Sequence, residues 1–93
     1  MKKYTDKGLK RFDQLNALVW KEHIRQIDKW GIQTHSLFEW LAYTTEELGE
    51  LAKAISEFEY RDGKMEEVVK EAISVATLCL KIAEMVKSET NTW

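Results

Sequence analysis

The feature that most constrains this chain is the absence of proline from all 93 residues, together with the presence of only four glycines. Proline and glycine end helices and form most tight turns, so this chain has few places to reverse direction. Sandwiches and barrels need a turn after every short strand. Because apolar residues also recur at helical rather than alternating spacing, we expect an all-α fold of a few long helices.

Local signals at the helix ends divide the chain into three elements. Thr5 or Asp6 can cap the first helix, and Gly31 supplies its stop. Ser36, followed three residues later by Glu39, forms a capping-box pattern that starts the second helix. The predicted helices cover about 6–30, 37–60 and 65–87.

The connection between the second and third predicted helices is short enough to make them a long antiparallel hairpin. Residues 61–64 read as a tight turn in which Gly63 takes the left-handed conformation. The chain should form one domain, 1–93, because its length does not support two cores. A hairpin of this size would bury its second apolar face against another copy. We therefore expect an oligomeric helical bundle, either a homodimer or a dimer of dimers.

Helical spacing places three carboxylates where free charge is costly. On the second helix the predicted main buried stripe consists of Leu37, Leu41, Leu48, Leu51, Ala52 and Ile55. Glu47 and Glu50 lie on a second, semi-apolar flank, and Glu71 falls inside the apolar arc of the third helix. A buried carboxylate must be neutralised, paired or bound to a cation. Oxygen ligands of this kind suit Mg²⁺, with Mn²⁺ as a possible substitute.

Charge is distributed unevenly along the chain. Residues 1–30 carry eight Lys or Arg against four Asp or Glu, whereas residues 46–71 carry four against nine. A basic first helix beside an acidic centre fits a metal site that receives an anionic ligand better than a surface that binds duplex nucleic acid. No apolar run is long enough to span a bilayer, so we expect a cytoplasmic protein without a membrane partner. Cys79 lies in the apolar arc of the third helix, which predicts a core thiol.

Two stretches of the sequence resemble a known family. Glu46-Glu47-x-x-Glu50, then twenty residues, then Glu71-x-x-Ser74 resembles the E-E-x-x-E…E-x-x-D signature of the MazG-like all-α nucleoside triphosphate pyrophosphohydrolases. The segment Arg25-Gln26-x-Asp28-Lys29-Trp30-Gly31-x-Gln33-x-His35-Ser36-x-x-Glu39-Trp40-Leu41 resembles a branch of small MazG-like proteins from phages and bacteria. Together the two stretches extend over nearly two thirds of the chain.

The resemblance implies an Mg²⁺-dependent enzyme that splits the α–β phosphate bond of a nucleoside triphosphate, possibly a non-canonical one, giving monophosphate and pyrophosphate. It implies that Glu47, Glu50 and Glu71 are metal ligands and that Glu46 is the first signature glutamate. Ser74 occupies the place of the signature aspartate, as the fourth candidate ligand. Its hydroxyl is a weaker, neutral ligand. The alternative is therefore a weak or inactive nucleotide-binding or interaction module.

The remaining candidates follow from the chemistry of phosphoryl transfer. A carboxylate not committed to the metal can take a proton from the attacking water, which makes Glu46 a candidate catalytic residue. Glu47, as a ligand of the ion that would activate this water, is the second candidate catalytic residue. Glu67 is a further possible base, and Glu46 and Glu67 each have a surface role as the alternative. The candidate substrate-binding residues are Arg25, Lys29, Trp30, His35 and Lys53. Their alternatives are core packing for Trp30, capping or packing for His35, and exposed charge for the three cations.

Overall fold

The structure, a computed structural model, describes residues 5–32 and 34–93. In these two ranges the chain forms three α-helices and no strand: α1 (Asp6–Trp30), α2 (Leu37–Tyr60) and α3 (Met65–Thr90). The all-α, three-helix prediction is confirmed, and α3 continues past its predicted end near residue 87. Gln33, part of the resembling segment, lies outside the described residues. None of the described helices is long and apolar enough to cross a membrane.

The helix ends are set by the local signals that the sequence carries. The Thr5 hydroxyl oxygen accepts a hydrogen bond from the Gly8 amide at 3.1 Å. Gly31 closes α1 with a positive φ of 72°, a conformation that costs glycine little. At the start of α2, the Ser36 hydroxyl accepts from the Glu39 amide, and the Glu39 carboxylate accepts from the Ser36 amide. These reciprocal bonds form the predicted capping box.

The turn between α2 and α3 differs from the prediction in one residue. Asp62, with φ of 57°, takes the left-handed conformation that was assigned to Gly63. Aspartate tolerates this region better than most residues. Gly63 is required for another reason: a Cβ atom there would lie 2.7 Å from the backbone carbon of Glu57. The four-residue connection and the close packing that follows make α2 and α3 antiparallel neighbours.

The third helix is the central element of the protein. Close backbone contacts join α3 to α2 and α3 to α1, and among the described residues none join α1 to α2. Leu78 and Thr77, which is 2% exposed, are buried on α3. The Thr77 hydroxyl donates to the Ile73 carbonyl at 2.8 Å, which satisfies a polar group inside the packed region. The core is therefore narrow and follows α3.

The face of α2 that packs against α3 is not the one predicted as the main buried stripe. Leu48 is 53% exposed, and Leu37, Leu41, Ala52 and Ile55 are exposed as well, while Leu51 is half-buried. The covered positions instead recur at alternating spacings of four and three residues: Trp40, Thr44, Glu47, Leu51 and Ala54. Helix α2 has two apolar flanks, and within one chain α3 covers only one of them. The Leu48 flank is left as an open apolar surface.

Other apolar positions are open in the same way. The first half of α1 exposes Leu9, Phe12, Leu15 and Leu18. Cys79 is also exposed, so its predicted core position is wrong for the single chain. The reason is that α1 and α2 cover only part of the wide apolar arc of α3. The single chain therefore leaves a large part of its apolar surface open.

Candidate active site

The candidate site begins with two glutamates that face each other across α2 and α3. Glu47 lies in the covered stripe of α2, and Glu71 is half-buried on α3. The two carboxyl groups lie close enough that Glu71 helps to raise the pKa of Glu47. Two like charges brought together in this way favour a proton or a cation between them.

The surroundings of Glu47 favour its neutral form. Partial burial raises the pKa of Glu47, and the neighbouring carboxyl group of Glu71 raises it further. The charges of Glu50 and Glu22 act in the same direction. A divalent cation between the carboxylates would relieve this repulsion as a proton does. Perturbed carboxyl groups of this kind are more frequent at functional sites than elsewhere on a protein.

The four predicted metal ligands are placed unequally. Glu47 and Glu71 are brought together, whereas Glu50 is exposed and acts on Glu47 only through its charge. Ser74 is half-buried, one turn of α3 after Glu71. In the described part of the chain, no three His, Cys, Asp or Glu side chains are close enough to form a metal-binding group. Two carboxylates are still an adequate donor set for Mg²⁺, which commonly keeps several waters.

A cleft of about 700 Å³ opens beside the glutamate pair. It lies between the second half of α1, the connection to α2, the start of α2, and α3. This volume is within the range of small-molecule sites. Six of the residues predicted for the site line the cleft: Arg25, Trp30, His35, Glu46, Glu47 and Ser74. Lys29, Glu50, Lys53, Glu67 and Glu71 are not part of its lining.

One end of the cleft is aromatic. The His35 ring lies 5.0 Å from the Trp40 ring and 5.2 Å from the Tyr43 ring, both in edge-on contact. The His35 ring nitrogen Nδ1 also lies 3.5 Å from a Glu39 carboxylate oxygen. These contacts hold the imidazole at the start of α2. The packing role considered for His35 is therefore observed, at a position that still faces the cleft.

Trp30 forms a second aromatic surface in the cleft. The Lys29 ammonium lies 4.7 Å from the centre of its ring, and the Arg25 guanidinium lies 5.6 Å from it. Both distances are within the range of cation–π attraction. Trp30 is half exposed, so its ring remains open to a planar ligand. Lys29 does not line the cleft and is connected to it by its contact with the Trp30 ring. Lys53 is exposed on α2 and does not line the cleft either.

Among the cleft residues that sequence reasoning did not assign to the site, three are polar side chains joined by hydrogen bonds: Glu22, Gln26 and Lys81. The Glu22 carboxylate accepts from the Arg25 guanidinium at 2.6 and 2.8 Å, and from the Gln26 amide at 2.8 Å. The hydrogen bond from Arg25 lowers the pKa of Glu22 more than its partial burial raises it. The spacing of three and four residues within α1 was a usable signal for these contacts.

Lys81 lies on α3 and is half-buried at the cleft. Its ammonium donates to the Gln26 side-chain carbonyl and lies 5.7 Å from the centre of the Trp40 ring. Burial lowers the pKa of Lys81, while the charges of Glu22 and Glu84 partly oppose that effect. Lys81 follows Ser74 by seven residues, or two helical turns, which was the signal for a shared face.

Comparisons with known proteins identify no relative of this chain. No protein-family model matches the chain, no curated protein matches it, and no solved structure matches it.

Proposed function

We propose that this chain is an Mg²⁺-dependent nucleotide pyrophosphohydrolase of the MazG-like kind, acting on the α–β bond of a nucleoside triphosphate. The observation that carries the proposal is the pair of half-buried carboxylates beside the cleft, Glu47 and Glu71, in which the charge of Glu71 helps to raise the pKa of Glu47. Two carboxylates pressed together are unfavourable unless a cation or proton joins them. The cleft also offers aromatic surface for a base and cationic side chains for phosphates.

The proposed roles of the site residues are metal binding by the carboxylates and contact with the nucleotide by the aromatic ring of Trp30. Glu47 and Glu71 would hold Mg²⁺, with Glu50 and the Ser74 hydroxyl as additional oxygen donors. When bound, the ion supplies charge neutralisation for the polyphosphate and lowers the pKa of a bound water. Trp30 offers a surface for stacking, because its ring is half exposed at the cleft.

The proposed reaction is a hydrolysis. The oxygen of water forms a bond to the α-phosphorus, and the bond from that phosphorus to the bridging oxygen breaks. Nucleoside monophosphate and pyrophosphate leave. Glu46, an exposed carboxylate at the edge of the cleft, accepts the proton of the attacking water.

The direct test is release of pyrophosphate from a panel of canonical and modified nucleoside triphosphates, with and without Mg²⁺. Glu71→Gln is expected to abolish release while the protein stays folded, because it removes charge without changing shape. Glu66→Gln is the matched control, since Glu66 is exposed on the same helix and outside the cleft. Release that persists in Glu71→Gln would contradict the proposal.

A second candidate function is a nucleotide-binding module without catalysis. Ser74 favours it, because a neutral hydroxyl stands at the cleft where the resembling family has a carboxylate. Isothermal titration with ATP separates the two functions. Nucleotide binding without pyrophosphate release from any member of the panel would support the module and exclude the enzyme.

We further propose that the functional unit is a homodimer or a dimer of dimers. The open Leu48 flank of α2 and the apolar first half of α1 are the surfaces that a second copy would cover. Leu48→Glu is expected to give monomers in light scattering, whereas Ser56→Glu, an exposed polar position on α2, should leave the assembly unchanged. A wild-type protein that is monomeric at micromolar concentration would exclude this assembly.

A further inference from the structure

Lys81 is a charged residue of the cleft to which the proposed reaction assigns no role. It lies on α3 within the cleft wall and is half-buried, an unusual place for an ammonium group. Burial of a cation is costly unless something compensates for it. The compensation available within the described residues is one hydrogen bond, one aromatic ring and the more distant charges of Glu22 and Glu84.

The hydrogen bonding of Lys81 is incomplete. An ammonium group has three N–H donors. One is donated to the Gln26 side-chain carbonyl, and the ammonium lies 5.7 Å from the centre of the Trp40 ring. Within residues 5–32 and 34–93, the other two N–H groups have no acceptor, and no carboxylate lies within ion-pair distance of Lys81.

Arg25, the other Lys or Arg side chain that lines the cleft within the described residues, is in a different environment. Its guanidinium is bound to both carboxylate oxygens of Glu22, at 2.6 and 2.8 Å. The charges of Arg25 and Glu22 therefore largely cancel. Gln26 connects Glu22 to Lys81, since its side-chain amide donates to the Glu22 carboxylate and its side-chain carbonyl accepts from the Lys81 ammonium. This chain of contacts fixes the Lys81 ammonium at the boundary of α1 and α3.

We propose that Lys81 binds a phosphate group of the ligand through its ammonium, as the cationic counterpart of the glutamate pair. This inference rests on the proposed function for the identity of the anion. Phosphate oxygens are strong acceptors that would use the two remaining N–H groups and neutralise the charge in one contact. Gln26 and Trp40 hold the ammonium in place, so little side-chain freedom is lost on binding.

The test uses the full-length protein in Mg²⁺-free buffer and isothermal titration with two probes, inorganic triphosphate and ATP. Lys81→Met removes the charge and keeps the apolar stem. It is expected to weaken the affinity for both probes about tenfold or more, equivalent to about 1.4 kcal/mol. Lys81→Arg should stay within about threefold. Lys70→Met, an exposed lysine on α3 outside the cleft, should be unchanged.

Several outcomes would overturn the proposal. One is unchanged affinity for both probes in a folded Lys81→Met protein. A second is weakened ATP binding with unchanged triphosphate binding, because Lys81 would then act on the nucleoside. Loss of both probes in Lys81→Arg as well as Lys81→Met would show that Lys81 only ties α1 to α3.

A second variant keeps the test decisive if Lys81→Met fails to fold. Glu84 is an exposed carboxylate that lines the cleft and acts electrostatically on Lys81. Glu84→Gln removes that competing charge and is expected to tighten triphosphate binding about twofold or more relative to Glu66→Gln. Equal affinities in these two variants would overturn the role of Lys81.

The test also separates this inference from the proposed function. Binding that depends on Lys81, with no pyrophosphate release from any nucleotide, leaves the inference standing and removes the enzyme. If Lys81→Met instead hydrolyses nucleotide with unchanged KM and kcat, the proposed enzyme function stands and the role of Lys81 is excluded.

Discussion

Glu22 and Glu47 are both half-buried glutamates that line the same cleft, yet their ionisation is pushed in opposite directions. Three hydrogen bonds from Arg25 and Gln26 reach Glu22, and its pKa is lowered. The pKa of Glu47 is instead raised, first by burial and then by the neighbouring carboxyl group of Glu71. Burial is similar in the two cases, so the partner decides the outcome.

The difference separates a structural carboxylate from a candidate site carboxylate. The partners of Glu22 lie on its own helix, three and four residues further along, so they are in place whenever α1 is folded. The partner of Glu47 comes from another helix and carries the same charge, so the fold brings together what electrostatics would keep apart. Such an arrangement persists when a ligand or proton compensates for it.

The largest expected effect compares the two glutamates in catalysis. Glu47→Gln should reduce Mg²⁺-dependent pyrophosphate release about 100-fold or more, since it removes a ligand and a charge from the pair. Glu22→Gln should stay within about tenfold, the scale of a supporting residue. Initial rates at saturating nucleotide measure both. A larger loss in Glu22→Gln would invert the assignment of the two residues.

A smaller effect is expected from adding charge beside the pair. Ser74→Asp places a carboxylate one turn from Glu71 and should tighten Mg²⁺ binding about tenfold, because hard cations favour charged oxygen ligands. Calorimetric titration with Mg²⁺ measures the change. Ser56→Asp on the exposed face of α2 is the control and should leave the affinity unchanged. Equal affinities in wild type and Ser74→Asp would place the metal away from Ser74.

Stability should respond to pH with opposite sign at the two sites. The raised pKa of Glu47 means that its contribution is present below about pH 4.3, the unfolded value, and is lost as pH rises through the folded pKa. The lowered pKa of Glu22 gives a contribution present above that value and lost as pH falls through the folded pKa.

In metal-free buffer at pH 7, Glu47→Gln should therefore melt above wild type and Glu22→Gln below it. Solvent screening limits each change to a few tenths to about 1 kcal/mol. That corresponds to shifts of up to about 4–8 °C in a domain of this size. Circular dichroism melts at pH 4 and pH 7 measure the shifts, which should shrink at pH 4. Shifts of the same sign would remove the distinction between the two residues.

The smallest expected effect concerns the link between Glu22 and Lys81. Gln26→Leu removes one donor to Glu22 and should raise the pKa of that carboxyl group, while the pKa of Glu47 stays unchanged. Titration followed by carbon NMR of labelled glutamate side chains resolves the two groups. An equal response of Glu47 would show that the two environments are coupled through α1.

The helices were predictable because their determinants are local. Thr5, Gly31 and the capping box of Ser36 and Glu39 act within one turn of their own positions, and each is found where expected. The turn at 61–64 was placed correctly, but its left-handed residue was not. The close approach of Gly63 to Glu57 decides that detail, and it depends on how the chain folds back.

The site was harder to derive than the helices because it depends on which faces meet. Periodicity shows that α2 has two apolar flanks, but it does not say which one α3 covers. The flank of Leu48 has the stronger apolar character, and the structure covers the flank of Glu47 instead. Lys81 was not recognised as a site residue for the same kind of reason. Helix α1 packs against α3, and the sequence of α3 alone does not indicate which of its faces α1 covers.

The packing of α1 against α3 alone has a mechanical consequence for the cleft. Trp30 on α1 and Trp40 on α2 both line it, and no backbone contact joins those two helices in the described residues. The relative placement of the two rings is therefore set by how each helix packs on α3 and by the short connection between α1 and α2. A ligand that contacts both rings would add a direct link between α1 and α2, whereas the Glu47–Glu71 pair joins α2 to α3 and does not depend on that link.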